Sequence, residues 1–251
     1  MATIIDGKKI AAEVRAELKE KIEKMVAETK RRPALAVILV GEDPASKVYV
    51  RNKAKACEEI GVASEVVTLA ADITQEMLEY IINSYAARVD IDGILVQMPL
   101  PKQINEETIL NAISPSKDVD AFHPVNVGKI MIGDYDFLPC TPAGVMELLD
   151  DAGIDLCGKR CVIIGRSNIV GKPMSMLLLR ENGTVTVVHS KTQNMKEITK
   201  QADILVVAIG KPKFVDETFV KEGAVVIDVG INRDEDNKIC GDVDYDKVFD
   251  K

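Results

Sequence analysis

The stretch SKVYVRNKAKACEEIG, residues 46–61, carries a tyrosine and a lysine four positions apart. If the stretch is helical, Tyr49 and Lys53 project from one face and their tips can converge on a single atom. A phenol and an amine held side by side can orient and move a proton in acid–base catalysis. On an amphipathic helix the same pair is more often two solvated surface residues, so the spacing leaves both interpretations open.

A second candidate site is the turn in CVIIGRSNIVGKPMSMLLL, residues 161–179. Gly165 and Gly171 lie between a predicted strand and a helix predicted to start near Pro173. Such a turn presents backbone N–H groups and the positive end of the helix dipole to a phosphate. The spacing G-x-S-x-x-x-G-x-P does not match the GxGxxG dinucleotide fingerprint, so a plain tight turn stays an alternative.

The next predicted strand ends in VVHSKT, and its polar residues bear on the choice of dinucleotide. NAD-binding sites usually place an acidic residue there, whereas this chain has His189, Ser190 and Lys191. Together with Arg166 of the preceding turn, these hydroxyl and cationic groups suit a 2′-phosphate. The pattern favours NADP over NAD, with solvated loop-end residues as the alternative.

These residues must be positioned by the elements around them, and the chain alternates predicted helices and strands. We predict a helix over Asp6–Glu28, a strand at 33–41 that is buried on both faces, and a helix that begins near Pro44 and holds Tyr49 and Lys53. Strands at SEVVTLA and DGILVQMPLP flank a helix near 74–88. This alternation predicts βαβ units and a mostly parallel sheet.

The alternation breaks between Ser114 and Pro142, where turn-forming residues predict a long loop of functional or connecting character. A helix at AGVMELLDDAGI follows. Four apolar strands, separated by segments of helical length, come next: KRCVIIG, TVTVVHS, ADILVVAIG and AVVIDVG. We therefore expect an α/β protein of two domains, residues 1–141 and 142–251.

Composition limits the classes of function. The formal charge of −8 over 251 residues argues against broad binding to nucleic-acid phosphates. No apolar run approaches the roughly 20 residues of a membrane span, and the charged N-terminus has no signal-peptide core. The five cysteines include no CxxC pair, and His123 and His189 lack further ligands at useful spacing. We expect reduced thiols, a cytoplasmic protein and no metal site.

Several motifs occur in an order that resembles one family. They are GEDPASKVYVRNK, DGILVQMPLP, PSKDVDAFHP, PCTPAGVMELL, GRSNIVGKP, VTVVHSKT, ADILVVAIGKP, VVIDVGIN and GDVDY. In these motifs, from residue 1 almost to its end, the chain resembles the methylenetetrahydrofolate dehydrogenase/cyclohydrolase family. The resemblance implies an N-terminal α/β catalytic domain, a C-terminal Rossmann-like NADP-binding domain with a parallel sheet, an active cleft between them, and usually a homodimer.

The resemblance also implies two reactions of one-carbon metabolism that feed purine biosynthesis. The first is NADP-dependent oxidation of 5,10-methylenetetrahydrofolate to the 5,10-methenyl cation. The second is hydrolysis of that cation to 10-formyltetrahydrofolate. Four residues match the family's catalytic and folate-binding positions: Tyr49, Lys53, Gln97, which hydrogen-bonds the lysine, and Asp120, which grips the pterin.

Other positions of the family are matched in the same way. Ser46 lies on the same face of the helix, one turn before Tyr49, and is expected to support the network of the pair. Cys140 is expected to pack. Six residues match cofactor-binding positions, two of them loosely: Gly165, Arg166, Ser167 and Ser190, and more loosely Thr141 and Ile231.

The chemistry gives Lys53 a specific expected role. Loss of hydride leaves a delocalised cation on the folate, so an ammonium group beside it would oppose the reaction. Partial burial and a neighbouring cation favour the neutral amine, which can take a proton from the water that attacks the methenyl carbon. Tyr49 would orient the lysine and the water. Gln97 is uncharged and would hold the amine without stabilising its ammonium form.

Alternatives follow from the order of motifs and from the end of the sequence. Short-chain dehydrogenases also carry a Y-x-x-x-K pair, but theirs follows the glycine turn, whereas Tyr49 and Lys53 precede Gly165 here. A shikimate-dehydrogenase-like enzyme has a similar two-domain architecture but lacks the quoted motifs. Chains of the resembled family normally continue with a PGGVGPMT-like segment and a long helix, which this sequence does not match. If the polypeptide ends at Lys251, the alternative is a catalytically incomplete protein that binds NADP or folate.

Overall fold

The computed structural model describes residues 2–249 and 251. It divides into two compact units. The first unit comprises Gly7–Lys129 with Asp134–Leu138, and the second comprises Ile130–Gly133 and Pro139–Lys251 with residues 2–6. The domain boundary predicted at residue 141 stays a prediction.

The first unit is built around a parallel sheet. Its elements are α1 (Gly7–Thr29), β1 (Ala34–Val40), α2 (Pro44–Ile60), β2 (Ala63–Leu69), α3 (Gln75–Ala87), β3 (Gly93–Val96), α4 (Glu106–Ala112) and most of α5 (Pro124–Ile132). Among the described residues the strand order is β2-β1-β3, with every pairing parallel.

The central strand β1 is buried from Ala36 to Val40, as its continuous apolar run predicts. Helix α3 packs Leu78 and Ile82 against this sheet, and both side chains are fully buried. Burying a side chain of this size stabilises the fold by about 1.5–3 kcal/mol. The well-packed sheet therefore fixes the positions from which the loops leave its strands.

The second unit has a larger parallel sheet. Its elements are α6 (Cys140–Asp151), β4 (Arg160–Ile164), α7 (Gly171–Arg180), β5 (Thr184–Val188), α8 (Met195–Thr199), β6 (Ile204–Val207), β7 (Val225–Asp228), β8 (Asn232–Arg233), β9 (Ile239–Cys240) and α9 (Tyr245–Val248). Over the described part of the chain the order is β5-β4-β6-β7, all parallel, and β8 and β9 form an antiparallel pair. The predicted α/β class with parallel sheets is confirmed.

Two stretches differ from the sequence-based expectations. The loop predicted over 114–142 contains the helix α5, which begins at Pro124, where a proline suits the first helical turn. Between β6 and β7 the segment of helical length forms turns instead of a helix. None of the helices within the described residues is long and apolar enough to cross a bilayer.

Candidate active site

Helix α2 positions the tyrosine–lysine pair. It begins at Pro44, and the carboxylate of Asp43 caps it by accepting the N–H of Ser46 at 2.7 Å. That hydrogen bond holds the pKa of Asp43 below its ordinary value. Tyr49 is 47% exposed and Lys53 is half-buried, so both can meet a ligand. Ser46 is buried and its backbone serves the cap; its role in the lysine network stays a prediction.

Gln97 meets Lys53 from the end of strand β3. Lys53 Nζ donates to Gln97 Oε1 at 3.3 Å. The backbone N–H of Gln97 donates to the carbonyl of Ile38, and its side-chain Nε2 donates to the carbonyl of Met98 at 2.7 Å. With its nitrogen engaged, the amide turns its oxygen toward the lysine. The structure therefore brings together a neutral acceptor and an amine that is shielded from part of the solvent.

A buried carboxylate organises the loop that carries Asp120. Asp118 is 1% exposed, and its Oδ2 accepts the N–H of His123 at 2.8 Å and Nδ2 of Asn126 at 2.9 Å. The carbonyl of Lys117 accepts the N–H of Ile94, which ties the loop to β3. Asp120 is half-buried two residues after Asp118. Asp118 thus has a structural role in this turn, and Asp120 lies within the same turn with its side chain partly accessible to solvent.

In the second unit, the turn after β4 requires its glycines. Gly165 has φ +131°, and a Cβ there would overlap the carbonyl oxygen of Ala208 at the end of β6. A Cβ on Gly171 would overlap the carbonyl oxygen of Gly165. Both positions therefore need glycine, for close approach and, at Gly165, for a left-handed backbone. This turn is packed directly against the loop of the neighbouring strand.

Ser167 holds the turn closed. Its Oγ accepts the N–H groups of Val170 at 3.1 Å and Gly171 at 3.3 Å. A hydroxyl has two acceptor positions and one donor, so the hydrogen of Ser167 can still point to an anion. The residue combines a structural role in the turn with the capacity to bind phosphate.

Polar and cationic side chains lie exposed at the carboxyl edge of β4 and β5. After β5, the N–H of His189 donates to Thr192 Oγ1 and the N–H of Lys191 donates to His189 Nδ1, which makes a tight turn. Ser190 and Lys191 are exposed in this turn, and Arg166 is exposed after the adjacent strand β4. Hydroxyl and cationic groups at one edge suit a phosphate ester.

The loosely matched residues lie elsewhere in the second unit. Thr141 is exposed in the first turn of α6, and Ile231 is 67% exposed in the segment after β7. Cys140 is exposed, so the expectation that it packs is wrong. His123 Nδ1 accepts the N–H of Val125 within its own turn. In residues 2–249 and 251 no group of three or more His, Cys, Asp or Glu side chains is arranged to hold a metal ion.

Comparison with family models decides the classification. Residues 5–120 match the catalytic domain of tetrahydrofolate dehydrogenase/cyclohydrolase, and residues 139–251 match the NAD(P)-binding domain of the same enzymes. The chain belongs to the tetrahydrofolate dehydrogenase/cyclohydrolase family. Membership excludes the short-chain and shikimate-dehydrogenase-like alternatives that the sequence left open.

Similar proteins of the tetrahydrofolate dehydrogenase/cyclohydrolase family cover all or nearly all of this chain. The bifunctional protein FolD of Lachnoclostridium phytofermentans is 58% identical over 100% of this chain and 89% of its own length. The FolD structure from Campylobacter jejuni is 50% identical with a TM-score of 0.94, covering 98% of this chain and 87% of that one. The enzyme from Trypanosoma brucei, solved with NADP and an inhibitor, is 39% identical with a TM-score of 0.93, covering 100% and 88%.

Two residues that the sequence did not single out contribute to the loops of this tetrahydrofolate dehydrogenase/cyclohydrolase. Asn126 supports Asp118, and Asp242 is buried beside the loop after β6. The signals for Asp242 were its place in the family motif GDVDY and the apolar residue that follows it, and Asn126 had none. Both residues act through hydrogen bonds that span at least eight positions of the chain.

Proposed function

We propose that this chain is a bifunctional folate enzyme, a methylenetetrahydrofolate dehydrogenase and methenyltetrahydrofolate cyclohydrolase. It oxidises 5,10-methylenetetrahydrofolate to the 5,10-methenyl cation with NADP and then hydrolyses the cation to 10-formyltetrahydrofolate. The observation that carries the proposal is the hydrogen bond from Lys53 Nζ to Gln97 Oε1 on the first unit of a chain that belongs to this family.

The second unit fits NADP in three respects. The turn at Gly165 and Gly171 has no room for side chains, Ser167 keeps a hydroxyl hydrogen for an anion, and the end of β5 carries Ser190 in place of a carboxylate. Arg166 is exposed at the same edge and complements a 2′-phosphate. NADP, when bound, supplies the hydride acceptor. Thr141 and Ile231 belong to this proposal as further cofactor contacts.

Asp120 would hold the pterin of the folate. A carboxylate can accept two hydrogen bonds from the 2-amino group and the adjacent ring N–H, which fixes the orientation of the ring. Asp120 lies two residues after Asp118, in the turn that the two hydrogen bonds accepted by Asp118 Oδ2 hold in place. Orientation matters because hydride transfer and water attack both depend on placing one carbon of the substrate.

Lys53 and Tyr49 would carry out the proton chemistry. Gln97 presents a neutral oxygen to Lys53, so it orients the amine without stabilising the ammonium form as a carboxylate would. The neutral amine then accepts a proton from the water that attacks the methenyl carbon, which gives a neutral hydroxyl adduct. As the bond from this carbon to N5 of the ring breaks, the ammonium returns its proton to N5, and loss of the hydroxyl proton to solvent leaves the formyl group on N10. Tyr49, four residues earlier on the same helix, orients the amine and the water.

Finer aspects of the proposal concern its cellular setting. We expect a cytoplasmic homodimer that supplies 10-formyltetrahydrofolate to purine biosynthesis, with no nucleic-acid or membrane partner. The formal charge of −8 supports the absence of nucleic-acid binding. The dimer rests on the family alone. The alternative of a catalytically incomplete binding protein has no support from relatives that are named as bifunctional.

The first experiment is turnover by the purified chain. Methylenetetrahydrofolate is offered with NADP or NAD in parallel, and hydrolysis of added methenyltetrahydrofolate is followed separately. We expect oxidation with NADP, less with NAD, and hydrolysis without either dinucleotide. Binding of NADPH and folate with no turnover in both assays would instead establish the catalytically incomplete alternative.

A further inference from the structure

Asp242 is a fully buried carboxylate in the second unit, two residues after β9. Its Oδ2 accepts the N–H groups of Ile209 at 2.7 Å and Gly210 at 3.1 Å. Its Oδ1 accepts the N–H of Lys211 at 2.7 Å and Nδ2 of Asn232 at 2.8 Å. A buried carboxylate is tolerated when its oxygens receive hydrogen bonds in this number, and such bonds to a charged acceptor are strong.

The three backbone donors are consecutive, and they form the loop that leaves β6. The last hydrogen bond from β6 to β4 runs from the N–H of Ala208 to the carbonyl of Ile164. The next three backbone N–H groups donate to the Asp242 carboxylate instead. A single carboxylate thus fixes the course of residues 209–211. Without it, the amides of half-buried Ile209 and of the exposed residues Gly210 and Lys211 would need other acceptors, and the course of the loop would no longer be fixed.

Asp242 is itself anchored to the end of β7. Its N–H donates to Asp228 Oδ1 at 3.0 Å, and the N–H of Val243 donates to Asp228 Oδ2 at 2.9 Å. Gly230 and Gly241 leave room for this arrangement, since a Cβ on either would overlap one of the two carboxylates. The anchor makes Asp242 a rigid support for the loop.

The loop after β6 lies where a doubly wound sheet binds ligands. Strand β5 adjoins β4 on one side and β6 adjoins it on the other, so the direction of winding reverses between β4 and β6. Ligands of such sheets bind outside the carboxyl ends of the strands at this point. The glycine turn leaves β4 there and touches Ala208, the residue before the loop.

We propose that Asp242 is a positioning residue for NADP. Its carboxylate holds residues 209–211 in the conformation that forms one wall of the dinucleotide site, opposite the glycine turn at Gly165. This inference rests on the NADP-dependent activity proposed above. Asp242 touches no reacting atom, so its effect belongs to cofactor affinity and not to the chemical steps.

The test replaces Asp242 in the full chain. Asp242→Asn keeps one acceptor oxygen but turns an NH₂ group against N–H donors, which releases part of the loop. We expect the Kd for NADPH, measured by its fluorescence, and the KM for NADP to rise about tenfold or more. At saturating NADP, kcat should stay within about twofold, and hydrolysis of the methenyl substrate, which uses no NADP, should not change.

Asp203→Asn is the matched control. Asp203 precedes β6 at the opposite end of the strand, where its carboxylate accepts the N–H of Arg160 at 2.9 Å and forms an ion pair with Lys221. Its replacement costs stability in the same unit while leaving the loop after β6 intact. We expect a lower Tm with an unchanged Kd for NADPH.

A milder variant keeps the test decisive if Asp242→Asn does not fold. Asn232→Ala removes one of the four donors and should raise the Kd for NADPH about threefold, with faster hydrogen exchange at residues 209–211. Two results would overturn the inference if the wild-type chain binds NADPH. One is an unchanged Kd for NADPH in whichever variant folds, and the other is an equal rise of that Kd in Asp203→Asn. Failure of the wild-type chain to bind NADPH overturns the proposed function and this inference with it.

Discussion

At the scale of single residues, the environment of Lys53 determines what its amine can do. Gln97 offers an oxygen that carries no charge, and the same glutamine is fixed by its backbone to Ile38 and by its Nε2 to Met98. A glutamate at this position would favour the ammonium form, which cannot accept a proton. The choice of an amide thus matches the base role proposed for Lys53.

Replacing Lys53 tests that role directly. Lys53→Met should reduce hydrolysis of methenyltetrahydrofolate by about 10²-fold or more, because general-base catalysis contributes on that order. NADPH binding should persist, since the residues proposed for it lie in the second unit. Lys55→Met is the control: Lys55 is an exposed residue of the same helix and faces away from Lys53, so its loss should not change turnover. Intact hydrolysis in Lys53→Met would remove the base assignment.

At the scale of elements, the glycine turn depends on the close packing of β4 and β6. Gly165→Ala would put a methyl group into the carbonyl of Ala208 and force alanine to φ +131°. We expect the free energy of unfolding to fall by about 2 kcal/mol or more, with NADPH affinity lowered because the turn must move.

Gly144→Ala is the control for Gly165→Ala, because the same substitution is expected to have the opposite effect on stability there. Gly144 lies inside α6, and a Cβ there would meet nothing within 4 Å. Alanine is the better helix former, so this variant should gain about 0.5–1 kcal/mol in urea unfolding and bind NADPH normally. A Gly165→Ala protein as stable as the wild type would show that the turn can accommodate a Cβ at position 165 in spite of the carbonyl of Ala208.

The elements also show what a sequence can predict. Strands β1, β4 and β6 were predictable because each is an apolar run that ends at or near glycine. Helix α5 was not, since Gly128 interrupts its short apolar pattern within a turn-rich stretch. Among candidate site residues, Lys53 and Gln97 were predicted from family motifs, and Lys53 also from its helical spacing to Tyr49; the structure shows the hydrogen bond between them. The role of Asp242 in the motif GDVDY could not be predicted, because its backbone partners lie 31–33 positions earlier and only the folded sheet brings them together.

At the scale of the whole molecule, the chain is acidic, and many of its carboxylates are stabilised by local donors. The pKa of Asp90 is lowered to about 2 by the guanidinium of Arg88. Hydrogen bonds from Lys221 and Thr218 lower the pKa of Asp203 and Asp216, respectively. Because these pKa values are lower in the folded state, the associated stability is present above the ordinary aspartate value near 3.8 and is lost as the pH falls below it.

Asp92 gives this acid sensitivity a structural cause that can be tested. Its Oδ2 accepts the N–H of Ala34 at 2.8 Å and Nη1 of Arg31 at 3.0 Å, which joins the start of β3 to the start of β1. The hydrogen bond from Arg31 is the main cause that lowers the pKa of Asp92. Asp92→Asn should therefore lower the free energy of unfolding at pH 7 by about 1 kcal/mol, the net value of a hydrogen bond.

The difference between Asp92→Asn and the wild type should shrink as the pH falls below about 4, because the carboxyl of the unfolded wild-type chain is protonated first and that of the folded chain follows at lower pH. Urea unfolding at pH 7 and at pH 3 measures it. Asp72→Asn, in an exposed turn of the same unit, should match the wild type at pH 7. A gap that stayed constant with pH would mean that Asp92 stabilises the sheet through its shape alone, and that the acid sensitivity of the fold arises from other carboxylates.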